Sequence, residues 1–488
     1  MLLKNLLISA GYEADEKIGD IEIFGITSDS RRVKKGDLFV AIKGLSEDGF
    51  SHIGEALSRG AVFVVSERRA LGVMSLVVKN AREALARLFD AWYGHPARDM
   101  TLVGITGTNG KTSTAAMLAA ILEASGACCG VIGTVNATCG GKVLVYQSAD
   151  RLANLTTPDP AELYRLLAEM RDMGASFVIM EVTSHALFFE KTAPLYFERA
   201  IFTNLTPDHL DLHGDMETYY AQKRRLFLQC KKGIISLFGP YGQQLADSID
   251  VPFLTVGRGN VRRISVNGDR GVSFTLHAAE KMDISIPVPG DFSVENAALA
   301  AMCALSLGVS ADVIKESLST FRGVKGRMER VCENCLGISV FLDYAHTPDA
   351  LEKLLLTVRR FRQDQQRIIL VFGCGGDRDR SKRRKMGRIA TRLADLTVIT
   401  SDNARGEDPN AIIADILKGI DKEKAYKIVL DRKEAIAYSV EAARPGDILI
   451  LAGKGHEEYE IKGRERLPFS EREIVAAFME KKEQGYSV

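Results

Sequence analysis

The chain has 488 residues, and its 64 Lys and Arg against 63 Asp and Glu leave a formal net charge of +1 at pH 7. At about 150 residues per domain, this length predicts about three domains. The balanced charge excludes a field that would attract nucleic acid or an anionic membrane without local patches, and no apolar run approaches the roughly 20 residues of a spanning helix. The eight scattered cysteines and the absence of a signal-peptide pattern near Met1 predict a cytoplasmic protein with reduced thiols.

Residues 1–97 are predicted to form a small α/β domain. Apolar, β-branched runs at 37–42 and 61–65 are typical of strands, and residues 83–93 have the apolar spacing of a helix. The sequence Gly94-His95-Pro96 ends that helix, because proline cannot continue it. This break marks the first domain boundary.

A glycine-rich loop follows the next predicted strand, 101–105, and precedes a predicted helix at 115–122. Such a loop aims backbone N–H groups and a helix N-terminus at phosphate oxygens. Lys111 can reach the terminal phosphates of a nucleotide, and the Thr112 hydroxyl can bind Mg²⁺. Ile105 stands where the common Walker pattern has a glycine. The sequence nevertheless predicts an ATP-binding loop, made of Gly107, Thr108, Asn109, Gly110, Lys111, Thr112 and Ser113.

Strands and helices alternate through the rest of the chain, as a mostly parallel sheet requires. A central domain is predicted at 98–330, with buried strands at 177–182 and 200–203, a small antiparallel flap at 271–288 and a helix at 290–307. A third domain is predicted at 331–488, with strands at 339–342, 368–372, 396–399 and 448–451 in a doubly wound, Rossmann-like pattern. The predicted fold class is therefore α/β, in three domains.

Three further runs, with the glycine-rich loop, resemble the Mur ligase family. They are Glu-Val-Thr-Ser-His at 181–185, Thr-Asn-Leu-Thr-Pro-Asp-His-Leu-Asp at 203–211 and Asp-Tyr-Ala-His-Thr-Pro-Asp-Ala at 343–350. Matching runs extend from Asp29 to Glu457, so the resemblance covers nearly the whole chain. Order and spacing are most similar to the ligases that add the third residue of the peptidoglycan stem peptide.

The resemblance implies a UDP-binding first domain, a P-loop ATPase-like central domain and an amino-acid-binding third domain. It implies a cytoplasmic, monomeric enzyme that uses ATP and two Mg²⁺ ions. The implied reaction adds meso-2,6-diaminopimelate to UDP-MurNAc-L-Ala-D-Glu through an acyl phosphate. Three alternatives stay open: the same ligation with L-lysine, addition of glutamate to a folate as by folylpolyglutamate synthetases, and ATP hydrolysis by a switch or binding module.

Candidate metal ligands follow the ends of predicted strands. Glu181 offers carboxylate oxygens and His209 an imidazole nitrogen, and Mg²⁺ needs few protein ligands beside phosphate oxygens and water. The resemblance implies that both bind metal with Thr112; His209 could instead cap a helix or lie in the core. From sequence alone Lys223 would be a solvated lysine. The resemblance implies instead that CO₂ carbamylates Lys223, which creates an anion for a second Mg²⁺.

The resemblance implies further nucleotide contacts near the second boundary. Arg327 can reach across a cleft to a transferring phosphoryl group, or it could form only an interdomain ion pair. Asn296 and Asp343 resemble the family's base and ribose contacts. The implied catalytic residues are Lys111, Lys223 and Arg327.

The resemblance also implies contacts for the two substrates. Those for UDP-MurNAc-dipeptide are Ser30, Thr156, Thr157, Thr183 and Lys191. Those for diaminopimelate are Arg378, Asp402, Asn403, Ala404, Arg405, Gly453 and Glu457. Ala404 replaces the family's usual proline, but Arg405, which can grip a second carboxylate bidentately, is retained. Arg405 favours diaminopimelate over lysine, unless it only pairs with Glu407 or Asp408.

Overall fold

The computed structural model describes residues 1–14, 18, 20–45, 47–146, 155–463 and 465–484. The first part is a four-stranded parallel sheet in the order β1-β2-β3-β4. The strands are β1 (Gly25–Thr27), β2 (Asp37–Ala41), β3 (Phe63–Ser66) and β4 (Ser75–Val77), and the helices are α1 (Leu3–Ser9), α2 (Ile53–Ser58) and α3 (Ala81–Trp92). All of β2 is buried, which explains the apolar run that follows Asp37 in this strand.

The central part is built on an eight-stranded sheet in the order β12-β11-β10-β5-β9-β6-β7-β8. Its strands are β5 (Thr101–Thr106), β6 (Cys129–Ile132), β7 (Ala137–Cys139), β8 (Lys142–Leu144), β9 (Phe177–Glu181), β10 (Arg199–Phe202), β11 (Gly233–Ser236) and β12 (Phe253–Val256). The strands from β12 to β6 run parallel, and β7 and β8 are antiparallel additions. Because β5 lies between β10 and β9, Thr106 and Glu181, at the ends of β5 and β9, and Thr203, just after β10, meet at one edge of the sheet.

Helices cover both faces of this sheet, and a small antiparallel sheet adjoins it. The helices are α4 (Lys111–Ala124), α5 (Pro160–Asp172), α6 (Ser184–Phe188), α7 (Leu210–His213), α8 (Met216–Arg224), α9 (Pro240–Ala246), α10 (Asp291–Ser306) and α11 (Ala311–Ser319). The antiparallel sheet consists of β13 (Val261–Val266), β14 (Val272–His277) and β15 (Lys281–Ile286). The predicted flap is therefore present, but it begins one strand earlier than predicted. It shares a hydrophobic cluster with α4 and α10.

The last part is a six-stranded sheet in the order β16-β17-β21-β18-β19-β20. The strands are β16 (Glu329–Cys335), β17 (Ile338–Asp343), β18 (Ile368–Phe372), β19 (Leu396–Ile399), β20 (Tyr426–Ile428) and β21 (Ile448–Ala452), followed by a hairpin of β22 (Tyr459–Lys462) and β23 (Glu465–Pro468). The helices are α12 (Pro348–Phe361), α13 (Ser381–Leu393), α14 (Pro409–Leu417), α15 (Arg432–Ala442) and α16 (Glu471–Glu483). Only β16 is antiparallel in the six-stranded sheet, so the predicted doubly wound pattern is confirmed.

One hydrophobic cluster extends across the first predicted domain boundary, whereas the last part has hydrophobic clusters of its own. One cluster joins buried residues of α1 and α3, such as Leu6 and Leu88, with central residues such as Leu166 and Phe202. The last sheet has a separate cluster on each face. The first two parts therefore share a core, and the third has its own. No helix in the described ranges has both the length and the apolar character that crossing a membrane requires.

Candidate functional site

A cavity of about 1200 Å³ lies where the three parts meet. It brings together most of the residues predicted for the site, from all three predicted domains. Those that line it are Thr108, Asn109, Gly110, Lys111, Thr112, Ser113, Thr156, Thr157, Glu181, Thr183, Lys191, His209, Asn296, Arg327, Asp343, Arg378, Asp402, Asn403, Arg405, Gly453 and Glu457. Four predicted residues are not among its lining: Ser30, Gly107, Lys223 and Ala404.

The glycine-rich loop is held in shape by bonds from the neighbouring strand end. The Asn204 side chain accepts a bond from the Asn109 N–H at 3.0 Å and donates to the Asn109 carbonyl at 3.1 Å. Gly110 has φ +84°, and a Cβ there would lie 2.4 Å from Asn296 Oδ1. Lys111 Nζ donates to the carbonyls of Gly107 and Thr108, both at 2.9 Å. The loop therefore has a fixed shape with its lysine folded back over it, and we call it the phosphate cradle after the ligand predicted for it.

Glu181 ends β9 directly beside the first turn of α4. Its Oε2 accepts bonds from the hydroxyls of Thr112 at 3.1 Å and Thr134 at 3.0 Å, and its Oε1 accepts from the Thr134 N–H at 2.8 Å. Carboxylate and hydroxyl oxygen thus meet at the edge of the phosphate cradle. These are the ligand types that Mg²⁺ prefers.

His209 adopts a left-handed backbone, φ +54°, at the N-terminus of α7. Its Nε2 lies 3.3 Å from Asp208 Oδ2, and its ring centroid lies 4.7 Å from that of His185. Burial outweighs the Asp208 charge and lowers the pKa of His209 to about 4, so the imidazole is neutral at neutral pH and able to bind a metal. Within the described residues no three His, Cys, Asp or Glu side chains converge as a metal site. The donors present fit Mg²⁺, which takes most of its ligands from phosphate and water.

Lys223 is not the solvated lysine that the sequence alone indicates. It lies on α8, is only 2% exposed, and its Nζ donates to the Gly107 carbonyl at 2.9 Å. Lys111 donates to the same carbonyl, so the Nζ atoms of two lysines converge on one acceptor. Burial, and next the Lys111 charge, hold the pKa of Lys223 well below its usual range. The expectation of a surface lysine is wrong because α8 turns this side chain inward over Tyr219, whose ring centroid lies 4.7 Å away.

Arg327 reaches the nucleotide loop from the link between the central and last parts. Its Nη2 donates to Thr112 Oγ1 at 3.2 Å, and its guanidinium lies over the Tyr344 ring, 4.6 Å from the centroid. Asp343, at the end of β17, accepts bonds from the N–H groups of Met328 at 2.7 Å and Ala345 at 2.8 Å. Asp343 therefore anchors the turn that carries Arg327. Arg327 contacts the phosphate cradle. The alternative that Arg327 forms only an interdomain ion pair does not account for this position.

Asn296 lies on α10, directly behind the glycine-rich loop. Its Oδ1 accepts a bond from Thr114 Oγ1 at 3.3 Å. Together with the close approach to Gly110, this contact places Asn296 against the loop.

The residues predicted for the dipeptide lie around the end of β9. Thr157 Oγ1 donates to the Glu181 carbonyl at 2.8 Å and lies 3.2 Å from Thr183 Oγ1. Thr156 Oγ1 lies 3.1 Å from Thr134 Oγ1. Lys191 Nζ donates to the Thr157 carbonyl at 3.3 Å. These side chains form one connected wall of the cavity.

Ser30 differs from the other predicted substrate contacts. Its hydroxyl is buried and donates to Glu55 Oε2 at 2.7 Å, away from the cavity lining. The nearby Thr27, Ser28 and Asp29 line the cavity instead. The resemblance therefore located the segment, while the structure puts neighbouring side chains at the cavity.

Arg405 follows β19 in a left-handed backbone conformation, φ +52°. Its Nη1 donates to the Gly376 carbonyl at 2.8 Å, and its backbone N–H donates to the Ile461 carbonyl at 3.2 Å. Glu407 pairs with Arg383 at 2.8 Å, and Asp408 caps α14 through the Asn410 N–H at 2.9 Å. The alternative that Arg405 only pairs with Glu407 or Asp408 is therefore wrong.

Asn403 organises the rest of this loop from a buried position. Its Nδ2 donates to Glu457 Oε2 at 2.7 Å, and its Oδ1 accepts bonds from Lys454 Nζ at 3.0 Å and the Ile461 N–H at 2.9 Å. Burial would raise the pKa of Asp402, but the charges of Lys454 and Arg432 lower it to about 2. Burial also raises the pKa of Glu457. This side of the cavity is thus a dense network of charged and polar groups.

Sequence analysis missed several residues of the site. Thr134 holds Glu181, and Asn204 holds the glycine-rich loop. Asp349 Oδ2 accepts a bond from Asn109 Nδ2 at 2.8 Å and so links α12 to that loop. His346 lines the cavity with its pKa lowered to about 4 by burial. Asn204, His346 and Asp349 lie in motifs that were recognised, whereas Thr134 lies in none.

Family models match three stretches of the chain. The Mur ligase family catalytic domain matches residues 22–93, the Mur ligase middle domain 105–304, and the Mur ligase glutamate ligase domain 326–455. A protein of Syntrophomonas wolfei named UDP-N-acetylmuramoyl-L-alanyl-D-glutamate–2,6-diaminopimelate ligase is 41% identical over 494 residues, which cover 98% of each chain. A solved structure with the same name has a TM-score of 0.69 at 28% identity and covers 99% of each chain.

A more distant likeness concerns the fold alone. Folylpolyglutamate synthase of Mycobacterium tuberculosis has a TM-score of 0.64 at 18% identity and covers 83% of this chain and 95% of its own. The fold and the cavity define an enzyme that is built from three α/β parts and has a glycine-rich loop of the nucleotide-binding type. The chain belongs to the Mur ligase family.

Proposed function

We propose that this chain is an ATP-dependent ligase that joins meso-2,6-diaminopimelate to UDP-MurNAc-L-Ala-D-Glu. One observation carries the proposal: the phosphate cradle, the wall at the end of β9 and the Arg405 loop line one cavity. The identity of 41% over the whole length of the Syntrophomonas wolfei ligase supports the same substrates. The product would be a peptidoglycan precursor made in the cytoplasm by a monomer.

The proposed reaction activates the terminal carboxylate of the substrate. The γ-phosphoryl group of ATP passes to that carboxylate and gives an acyl phosphate and ADP. The amine of the amino acid then attacks the acyl carbon, and a tetrahedral intermediate expels phosphate. Each step develops negative charge on oxygen, which the cations Lys111 and Arg327 are suited to stabilise. Bound Mg²⁺, with Thr112, Glu181 and His209 as protein ligands, would neutralise part of the phosphate charge.

Lys223 is proposed to act as its carbamate. The reaction joins the unprotonated amine to CO₂, forms an N–C bond and releases one proton. Two lysines on the single Gly107 carbonyl support this assignment, because an anion in place of one cation removes their repulsion. The carbamate would supply oxygen ligands for a second Mg²⁺.

The two substrates would occupy opposite ends of the cavity. Thr156, Thr157, Thr183 and Lys191 would hold the sugar-peptide, and the segment that contains Ser30 would hold the uridine diphosphate. Asn296 and Asp343 would contact the nucleotide. The amino acid would lie among Arg378, Asp402, Asn403, Ala404, Arg405, Gly453 and Glu457.

The choice of diaminopimelate over lysine rests on Arg405. Diaminopimelate and lysine both carry an ammonium group at the far end of the side chain, but only diaminopimelate carries a second carboxylate beside it. A guanidinium attracts that carboxylate, whereas it only repels the uncompensated ammonium group of lysine. Since Arg405 bonds through Nη1 to a backbone carbonyl and not to Glu407 or Asp408, its charge is not neutralised by those carboxylates.

The assay is phosphate release from ATP by the purified chain with UDP-MurNAc-L-Ala-D-Glu, with and without candidate amino acids. We expect release that depends on both the UDP-dipeptide and diaminopimelate. Release that depends on lysine would identify the lysine-adding alternative. Release with a folate and glutamate would identify a folylpolyglutamate synthetase, and release without any amino acid would identify an ATPase switch.

A further inference from the structure

Arg383 is a fully buried arginine that lies behind the Arg405 loop. It belongs to α13, and its side chain has no exposed surface. Its Nη1 and Nη2 donate to the two carboxylate oxygens of Glu407 at 2.9 and 2.8 Å. Nη1 also donates to Asp415 at 3.1 Å, and Nη2 donates to the Gly375 carbonyl at 3.3 Å. The buried Nε has no hydrogen-bond partner, so Nη1 and Nη2 make all four bonds, and these bonds fix the position of each group that they reach.

Two of the groups bonded to Arg383, Gly375 and Glu407, belong to two loops that form one side of the cavity, and the third, Asp415, lies on α14. Glu407 also accepts a bond from the Asp377 N–H at 2.6 Å, and Asp377 Oδ2 accepts from the Gly406 N–H at 3.0 Å. The Gly376 N–H donates to the Asn403 carbonyl at 2.9 Å. Loops 375–379 and 402–408 are thus hydrogen-bonded to each other, and Arg383 donates hydrogen bonds to both of them.

These loops need such support because both contain unfavourable backbone conformations. Asp377 and Arg405 have φ values of +51° and +52°, in the left-handed region that side chains other than glycine rarely adopt. Ala404 also lacks the fixed φ that a proline would give to the loop. A Cβ on Gly376 would lie 1.9 Å from the Ala404 carbonyl, so the two loops are in close contact here and leave no space for a side chain at residue 376.

We propose that Arg383, through its ion pair with Glu407, is a positioning residue for the incoming amino acid. It acts on Arg405 and Arg378 by keeping loops 402–408 and 375–379 in register. Arg383 is not among the residues that line the cavity, so it would act on the bound amino acid only through the two loops. The inference rests on the proposed ligase function, because it names what orients the amino-acid side of that same site.

The experiment compares two reactions of Arg383→Met and Glu407→Gln with those of the wild type. The first is ligation of diaminopimelate, measured as kcat and KM for each substrate. The second is phosphate release with hydroxylamine in place of the amino acid, because hydroxylamine traps acyl phosphates as hydroxamates and needs no amino-acid pocket. Arg380→Met is the matched control: this arginine bonds the same Asp415 at 2.9 Å, but its side chain is 64% exposed and does not reach Glu407.

We expect the KM for diaminopimelate to rise about tenfold or more in both variants, as for loss of a buried charge pair, with hydroxylamine-dependent release within about twofold of wild type. The control should stay within about twofold in both reactions. An unchanged KM for diaminopimelate, or an equal loss in both reactions, would overturn the inference. If Arg383→Met does not fold, Glu407→Gln decides alone, since Glu407 is partly exposed. Failure of the wild type to form any hydroxamate would refute the acyl-phosphate ligase itself.

Discussion

Replacement of Arg405 by alanine should change the amino-acid preference of the enzyme. In the structure one nitrogen of the Arg405 guanidinium bonds to Gly376, and the group lines the cavity. The remaining donors can hold the far carboxylate of diaminopimelate. Arg405→Ala would leave that carboxylate without its partner, while lysine would lose a repulsive neighbour.

The size of the effect follows from the burial of Arg405. Loss of a hydrogen-bonded charge pair costs about 2–5 kcal/mol, which at about 1.4 kcal/mol per tenfold is about 30-fold to 4,000-fold in kcat/KM. Since Arg405 is only half-buried, we expect a loss for diaminopimelate near the lower limit, about 30-fold. The kcat/KM for lysine should rise or stay within about threefold.

The assay is initial-rate kinetics with both amino acids, at saturating ATP and UDP-MurNAc-L-Ala-D-Glu. Arg384→Ala is the control, because Arg384 lies on the adjoining helix α13 and is exposed. The reasoning is refuted if the wild type prefers lysine. It is equally refuted if Arg405→Ala keeps the full preference for diaminopimelate.

Three further outcomes are expected. Lys111→Ala should lower kcat about 10²-fold or more in the phosphate-release assay, because it removes a cation from the terminal phosphates, and near-normal turnover would contradict the ATP site. Lys223→Ala should be inactive and regain activity with added short-chain carboxylic acids; a free amine on Lys223 in the intact mass or crystal structure of the fully active enzyme would contradict the carbamate. Small-angle scattering should report a more compact chain with ATP and UDP-dipeptide bound, because the proposed contacts lie on all three parts, and identical curves would count against closure.

The elements that sequence predicted well are those whose signals are local. The glycine-rich loop was recognised because strand, glycines, Lys111 and helix follow each other within a short stretch. Glu181 and His209 were predicted from the short motifs that contain them, and the structure puts Glu181 at the end of β9 and His209 in the loop after β10. The parallel, doubly wound character of the last sheet also follows from local alternation of strand and helix, whereas the order of its strands was not predicted.

The features of the site that the sequence could not predict depend on contacts between segments that are far apart in the chain. Asn109 and Asn204 are 95 residues apart, and only the adjacency of β5 and β10 brings them together. The burial of Lys223 depends on which face of α8 packs inward, and the polar sequence of that helix does not define a buried face. Ser30 was predicted at the uridine diphosphate, but the tight turn that begins there directs its hydroxyl to Glu55, 25 residues away.

The core shared by the first two parts has a mechanical consequence. Helices α1 and α3 pack into the same hydrophobic cluster as α5, β9 and β10. The first part, which would carry the UDP-sugar, and the central part, which would carry ATP, therefore form one rigid unit. The distance between the substrate carboxylate and the γ-phosphoryl group of ATP would then be set when the chain folds. It would not have to be set again in each catalytic cycle. The last part has its own hydrophobic clusters and follows Gly323 and Gly326, both with positive φ, so we expect this part to move relative to the other two and to bring the third reactant to them.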